Sequence, residues 1–360
     1  MTTPTERSWL VLADGYLTGR NAKTAHGVIR YGHGDIAAVL DRDNAGASLR
    51  TVLPELGRDA PIVSSVQEGL AYGPTSLLLG VATAGGWMPE HWRTWINEAV
   101  ESGLEIANGL HGFLKEDPDL VKLARANKVN LWDVREPPAD IPLFSGRSLD
   151  IPKRTVLTVG SDCAVGKMSV SLELAAAGSA NGFSTEFVAT GQTGILIAGR
   201  GIAVDRVISD FVAGAAERLV CETHPSSDVL LVEGQGSLWN PAFSGVTLGL
   251  LHGSAPHALV LCHEAGRTTT DEPPFVPLPR LTDMIAVYEA MASTVRDARV
   301  ACIALNCRGL SDRERKRTLN EVEEQTGLIA DDVFAGGASR LWDAVAAALP
   351  ERRAIRHGSR

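Results

Sequence analysis

A chain of 360 residues with 44% apolar and 21% charged side chains is long enough for two domains with real cores and is not composed like a disordered protein. Its formal net charge of −9, with no basic stripe interleaved with aromatics, argues against a nucleic-acid surface and favours small-molecule partners. No apolar stretch approaches the length of a membrane span, and five cysteines without a CxxC pair or a signal peptide read as a reduced, cytoplasmic protein.

In chain order, short apolar runs at residues 9–13, 37–40, 77–81 and 129–134 predict strands, and 89–103 reads as a helix. Trp87, Trp92 and Trp95 stand near that helix at spacings that suit packing. Pro137, Pro138, Pro142 and Pro152 interrupt both periodicities and mark a polar, extended linker over 137–153. Beyond it the alternation is clearer, with strands expected at 155–159, 185–189, 229–233, 258–262 and 300–305. Helices are expected at 167–180, 203–220, 281–295 and 312–326. Near-continuous Val, Leu and Ile in these strands suit a parallel sheet covered on both faces. The basic run 313–317 reads as a solvated helix face, and 268–274 as a proline-stopped loop able to lid a site or lie on the surface. The fold class is therefore α/β, with an N-terminal Rossmann-like domain over 1–136 and a second, parallel-sheet domain over 154–360.

The densest signal is Gly160-Ser161-Asp162-Cys163-Ala164-Val165-Gly166-Lys167, which leaves a predicted strand and opens a predicted helix. Small residues there let several backbone N–H groups converge on an anion at a helix N-terminus, and the lysine adds a mobile charge. Two positions depart from the phosphate-loop consensus. Ser161 holds the place of the first glycine, and Met168, which cannot ligate magnesium, follows the lysine. Ser169 supplies a hydroxyl about 100° further round the helix. The loop therefore promises phosphate binding more firmly than phosphate cleavage.

Parallel sheets gather ligand groups at the carboxyl ends of their strands. Glu233 ends an apolar run and is followed by Gly234-Gln235-Gly236-Ser237; it can take a proton or, with Ser169, orient a metal. His263 and Arg267 follow the next apolar run, offering a base or donor and a forked guanidinium for phosphate or carboxylate. Thr190-Gly191-Gln192-Thr193-Gly194 supplies hydroxyl and amide donors on a backbone expected to be flexible, and Asn306 past a strand can read a base, hold the cofactor or simply end that strand.

These motifs carry a resemblance. The phosphate loop and Glu233-Gly-Gln-Gly are locally similar to dethiobiotin synthetase and its P-loop relatives. A longer likeness, over nearly the whole chain, is to a two-domain P-loop family that includes D-glutamate N-acetyltransferases. It rests on the loop with its Met168, on Ala189-Thr-Gly-Gln-Thr-Gly-Ile, Glu233-Gly-Gln-Gly-Ser, Ser244-Gly-Val-Thr-Leu-Gly-Leu-Leu-His-Gly-Ser and Cys262-His-Glu-Ala-Gly-Arg, and on Asn108-Gly-Leu-His111 in the first domain. Ala265 and the segment 82–87 depart from the family pattern.

The resemblance implies a P-loop NTPase-like second domain and an acetyl transfer from acetyl-CoA to the amino group of an acidic amino acid. On that expectation the backbone from Gly160 to Ser169 and Lys167 hold the coenzyme phosphates. Glu233 or His263 takes the amine proton and Arg267 pairs with a substrate carboxylate. Gln192, Thr193, Gln235, Asn108 and His111 complete the substrate site. The alternative is a ligase or kinase using ATP and magnesium, with Ser169 and Glu233 holding the metal. A homo-oligomer is expected only as the commonest state of such enzymes.

Overall fold

The computed structural model describes residues 6–82, 88–271 and 275–351. Trp87, most of the divergent segment 82–87, and Glu272, Pro273 and Pro274 of the expected lid lie outside them. Two compact units result: residues up to Pro137 together with Gly191–Ala203, and Pro138–Thr190 together with Val204 onward.

The first unit is a parallel sheet built from β1 (Ser8–Leu12), β2 (Asp35–Leu40), β3 (Ile62–Val63), β4 (Ser76–Leu79), β5 (Glu105–Asn108) and β6 (Leu131–Asp133). Their order is β3-β2-β1-β4-β5-β6, the Rossmann-like arrangement. Leu10, Leu12, Leu77 and Leu79 are buried because helices cover the sheet. Helix Trp92–Glu101 buries Trp92, Ile96, Ala99 and Val100, a stripe at i, i+4, i+7 and i+8, and Trp92 meets Tyr16 edge-on at 6.2 Å. Strands β3 and β5 were not expected: one is two residues long, the other is bounded by Glu105 and Asn108 and carries too little apolar signal.

The second unit contains β7 (Arg154–Gly160), β8 (Thr185–Val188), β9 (Val229–Val232), β10 (Ala258–Glu264), β11 (Arg299–Asn306) and β12 (Ala330–Asp331), in the order β12-β11-β10-β7-β9-β8. Every pairing is parallel, so all carboxyl ends share one edge, with β7 between β10 and β9. Helix Lys167–Ala180 buries Lys167, Val170, Ser171, Leu174 and Gly178, which keeps one face on the sheet. Helix Asp312–Thr326 starts at a Ser311/Glu314 capping box, ends at Gly327 with φ 71°, and buries only Val322. Its Arg313, Lys316 and Arg317 are exposed, the solvated face that the charge run predicts.

Three expectations for local structure are corrected. The helix expected over 203–220 forms only from Val212 to Cys221, after two short 3-10 turns. The glycine-rich stretch expected to be flexible starts a helix, Gln192–Ala198, which buries Ile195, Leu196 and Ile197 in the first unit. The proline-rich segment is not a free linker: Pro138 onward belongs to the second unit, where the Ser145 and Ser148 N–H groups donate to the buried Glu217 carboxylate. Among the described residues no helix is long and apolar enough to cross a membrane.

Candidate functional site

The phosphate loop leaves the central strand β7 and enters helix Lys167–Ala180, where the helix N-terminus points its N–H groups at the loop's interior. Gly166 has φ 106° and Ala164 φ 56°, so the chain curls through left-handed conformations on either side of Val165. Lys167 is only 6% exposed, and its Nζ donates to the Asp162 carbonyl at 2.8 Å. Burial lowers its pKa, while Cys163, Cys262, Asp162 and Glu233 oppose that shift. A cation held at a desolvation cost is stabilised when an anion arrives beside it.

The loop is braced from several elements. Tyr288 donates to the Gly160 carbonyl at 2.7 Å, and Ser237 donates to the Ser161 carbonyl at 2.8 Å. The buried Asp162 carboxylate accepts from Asn240 at 2.9 Å, from Arg267 at 2.9 Å and from the Asp271 N–H at 2.7 Å. Burial opposes its ionisation, but the bonds from Asn240, Asp271 and Cys163 and the charge of Arg267 together hold its carboxyl below the usual range.

These contacts decide what Arg267 does. Its guanidinium bonds Asp162, the Cys163 carbonyl and Glu264, and lies 3.8 Å from Asp271. It ties the 264–271 segment to the phosphate loop, so its fork is already engaged by protein groups.

His263 lies inside β10 rather than beyond it, and its Nδ1 is 2.8 Å from Ser161 Oγ. Burial, helped by the Arg267 charge, pushes its pKa down to about 4, so the ring is neutral at physiological pH. Such a ring is a weak base but a competent donor or acceptor. It and Arg267 line a cavity of about 340 Å³ that also meets Thr268, Arg280 and Gln325.

Glu233 stands one residue past β9 and is 4% exposed. Its carboxylate accepts from the Thr190 N–H at 2.9 Å, and Thr190 Oγ1 donates to its carbonyl at 2.6 Å. Gln235 Nε2 donates to the same Thr190 Oγ1 at 3.2 Å. Gly234 then passes so close to β7 that a Cβ on it would stand 1.7 Å from the Thr158 carbonyl oxygen. Ser169 lies on the first turn of its helix, half-buried. Among the described residues no group of three or more His, Cys, Asp or Glu is placed to hold a metal.

The remaining candidates belong to the first unit. Asn108 Nδ2 donates to the Gly112 carbonyl and to Asp133, both at 2.8 Å, and its Oδ1 accepts from the Leu110 N–H at 3.0 Å. Its amide therefore organises the turn on which His111 lies exposed. Thr193 Oγ1 donates to Thr24 Oγ1 at 3.2 Å, and Gln192 packs beside Gly109.

A family model described as the DUF1611 P-loop domain of unknown function matches residues 142–342, and one described as the DUF1611 N-terminal Rossmann-like domain matches 42–137. The chain belongs to the DUF1611 family. A crystal structure of a DUF1611 family protein from Anabaena variabilis superposes with a TM-score of 0.91 at 40% identity, covering 95% of this chain and 100% of that one. Two curated relatives are named D-glutamate N-acetyltransferase. The one from Tritonibacter scottomollicae is 39% identical over 297 residues, 82% of this chain and 88% of its own. The one from a Pseudoalteromonas species is 38% identical over 281 residues, 77% of this chain and 83% of its own.

Within this DUF1611 chain, sequence reading missed the residues that brace the loop. Asn240 carried one usable signal, the Asn-Pro step that opens a turn. Tyr288 carried none, because it reaches the loop only after its helix has docked, and Ser237 stood out only as part of the small-residue run after Glu233, with nothing to show that it would bond the loop.

Proposed function

We propose that this protein is an N-acetyltransferase that moves an acetyl group from acetyl-CoA to the amino group of an acidic amino acid of the D-glutamate type. Kinship carries the reading: two relatives at 38–39% identity bear that name. The chemistry of the loop agrees with it. A phosphate loop with Met168 after its lysine can grip the phosphates of an acyl donor without needing a metal-bound hydroxyl.

On this reading Lys167 and the loop N–H groups bind the donor's phosphates. Glu233, fixed by Thr190 at the same sheet edge, accepts the proton that the amine sheds as its nitrogen attacks the thioester carbonyl. The thiolate of the donor departs once the new amide bond forms. His263, neutral and bonded to Ser161, orients the loop and can donate toward the developing oxyanion. Arg267 acts one step back, by holding Asp162 and the loop in shape.

The test is isothermal titration with acetyl-CoA and, separately, with ATP and magnesium, followed by mass spectrometry of a D-glutamate reaction. Saturable acetyl-CoA binding with an acetylated product is expected. Binding of magnesium-ATP alone would replace this reading with that of an ATP-dependent ligase or kinase.

A further inference from the structure

We propose that the ring of Phe334, with the amide of Asn306 beside it, seats the purine base of the nucleotide whose phosphates the loop holds. This rests on the reading that the loop's ligand carries a nucleotide.

The observation is a juxtaposition that the mechanism above does not use. Phe334 sits three residues past β12 and is 39% exposed, and its ring edge lies 3.5 Å from the position a Cβ on Gly166 would take. An exposed phenylalanine is ordinary by itself. This one touches the residue immediately before Lys167, so it flanks the route by which a ligand must leave the loop once its phosphates are bound.

The turn that carries the ring is fixed by backbone bonds. Asp332 caps the short helix Val333–Gly336 by accepting from the Phe334 N–H at 3.0 Å, and it also accepts a backbone bond from Cys307. That second bond ties the Phe334 turn to the residues just past β11. Asn306, the last residue of β11, accepts the Arg308 N–H on its Oδ1 at 3.1 Å, which leaves Asn306 Nδ2 as a donor for a ring nitrogen. Strands β11 and β12 pair in parallel with Ala304 opposite Asp331, so both turns emerge at the edge that carries the phosphate loop. An aromatic face and an amide next to a phosphate cradle are the groups that a purine recognises, by stacking and by its hydrogen-bonding edge.

The base can belong to coenzyme A or to an adenine nucleotide, and titration separates the two. Full-length wild-type, Phe334→Ala and Phe334→Trp proteins are titrated with coenzyme A, with 4′-phosphopantetheine, which lacks the base, and with ADP plus magnesium. Phe334→Ala is expected to weaken coenzyme A about 10-fold while 4′-phosphopantetheine stays within about 2-fold, and Phe334→Trp to retain wild-type affinity. Equal weakening of both ligands, or of neither, overturns the proposal. If the wild-type protein binds ADP and not coenzyme A, the acetyltransferase reading fails. The same variant then decides the base seat on ADP, where an unchanged affinity overturns it and a loss of about 10-fold upholds it. Wild-type protein that binds none of the three overturns both.

Discussion

Lys167 and His263 are both buried at the loop, and burial penalises the charged form of each, but with different consequences. For Lys167 the penalty is relieved by an anionic ligand, so Lys167→Ala should weaken acetyl-CoA binding at least about 10-fold and leave the acceptor's affinity nearly unchanged. Equal loss of both affinities, read by titration, would count against a phosphate-binding lysine. For His263 the consequence is a pH dependence. Its folded pKa near 4 lies below the unfolded value of 6.5, so between those values the unfolded chain takes up a proton that the folded one refuses. Its contribution is intact above about pH 6.5 and is lost as pH falls toward 4, to a limit of about 3 kcal/mol. Urea midpoints measured from pH 7.5 to 4 should therefore fall less steeply for His263→Gln than for wild type. Parallel curves would show that the buried ring does not carry this term. Glu233 and His263 stood out in the sequence because each ends or directly follows an apolar run, and Lys167 because it completes the Gly-Lys step of the phosphate loop. What Arg267 and Asn108 do was not, since a guanidinium or an amide advertises donors without revealing which groups they meet after folding.

Among the elements, the crossing of β7 with the turn after β9 sets the geometry of the site. Gly234 is there because the backbone passes the Thr158 carbonyl with no room for a side chain, and its N–H donates to Thr158 Oγ1 at 2.9 Å. Gly234→Ala must push the turn away from β7 and move Glu233 with it. A loss of roughly 3 kcal/mol in stability is expected, since neither partner in the clash is a flexible side-chain end. Denaturant unfolding checks this, and a variant as stable as wild type with normal turnover would refute the argument. Long strands and helices of this unit were readable from periodicity, and helices Lys167–Ala180 and Asp312–Thr326 begin and end where the pattern places them. Helix Gln192–Ala198 was not readable, because two glycines within a Thr-Gly-Gln-Thr-Gly run signal a turn more strongly than Ile195-Leu-Ile signals a helix. Packing against the first unit overrides that preference.

For the whole molecule, the assignment of Gly191–Ala203 to the first unit means the two folding units do not follow a single cut in the chain. A fragment starting at Pro138 keeps the second sheet but leaves Ile195, Leu196 and Ile197 without the surface that buries them. That fragment should aggregate at concentrations where the full chain does not, and replacing these three residues with polar ones should restore it, as light scattering would register. A monodisperse unsubstituted fragment would mean that the segment is stable without its cover. Sequence alone determined that the protein is α/β with a phosphate loop in its second half, which residues end its principal strands, and that it resembles the family to which it belongs. Those properties are local, written in periodicity, small residues and a Gly-Lys step within a few positions of one another. Only the tertiary structure decided that Arg267 is committed to Asp162, that Gln192–Ala198 packs with the first unit, and that Phe334 stands beside Gly166. Each depends on groups far apart in the chain meeting at one sheet edge or on one core, and no spacing within a sequence window records such a meeting.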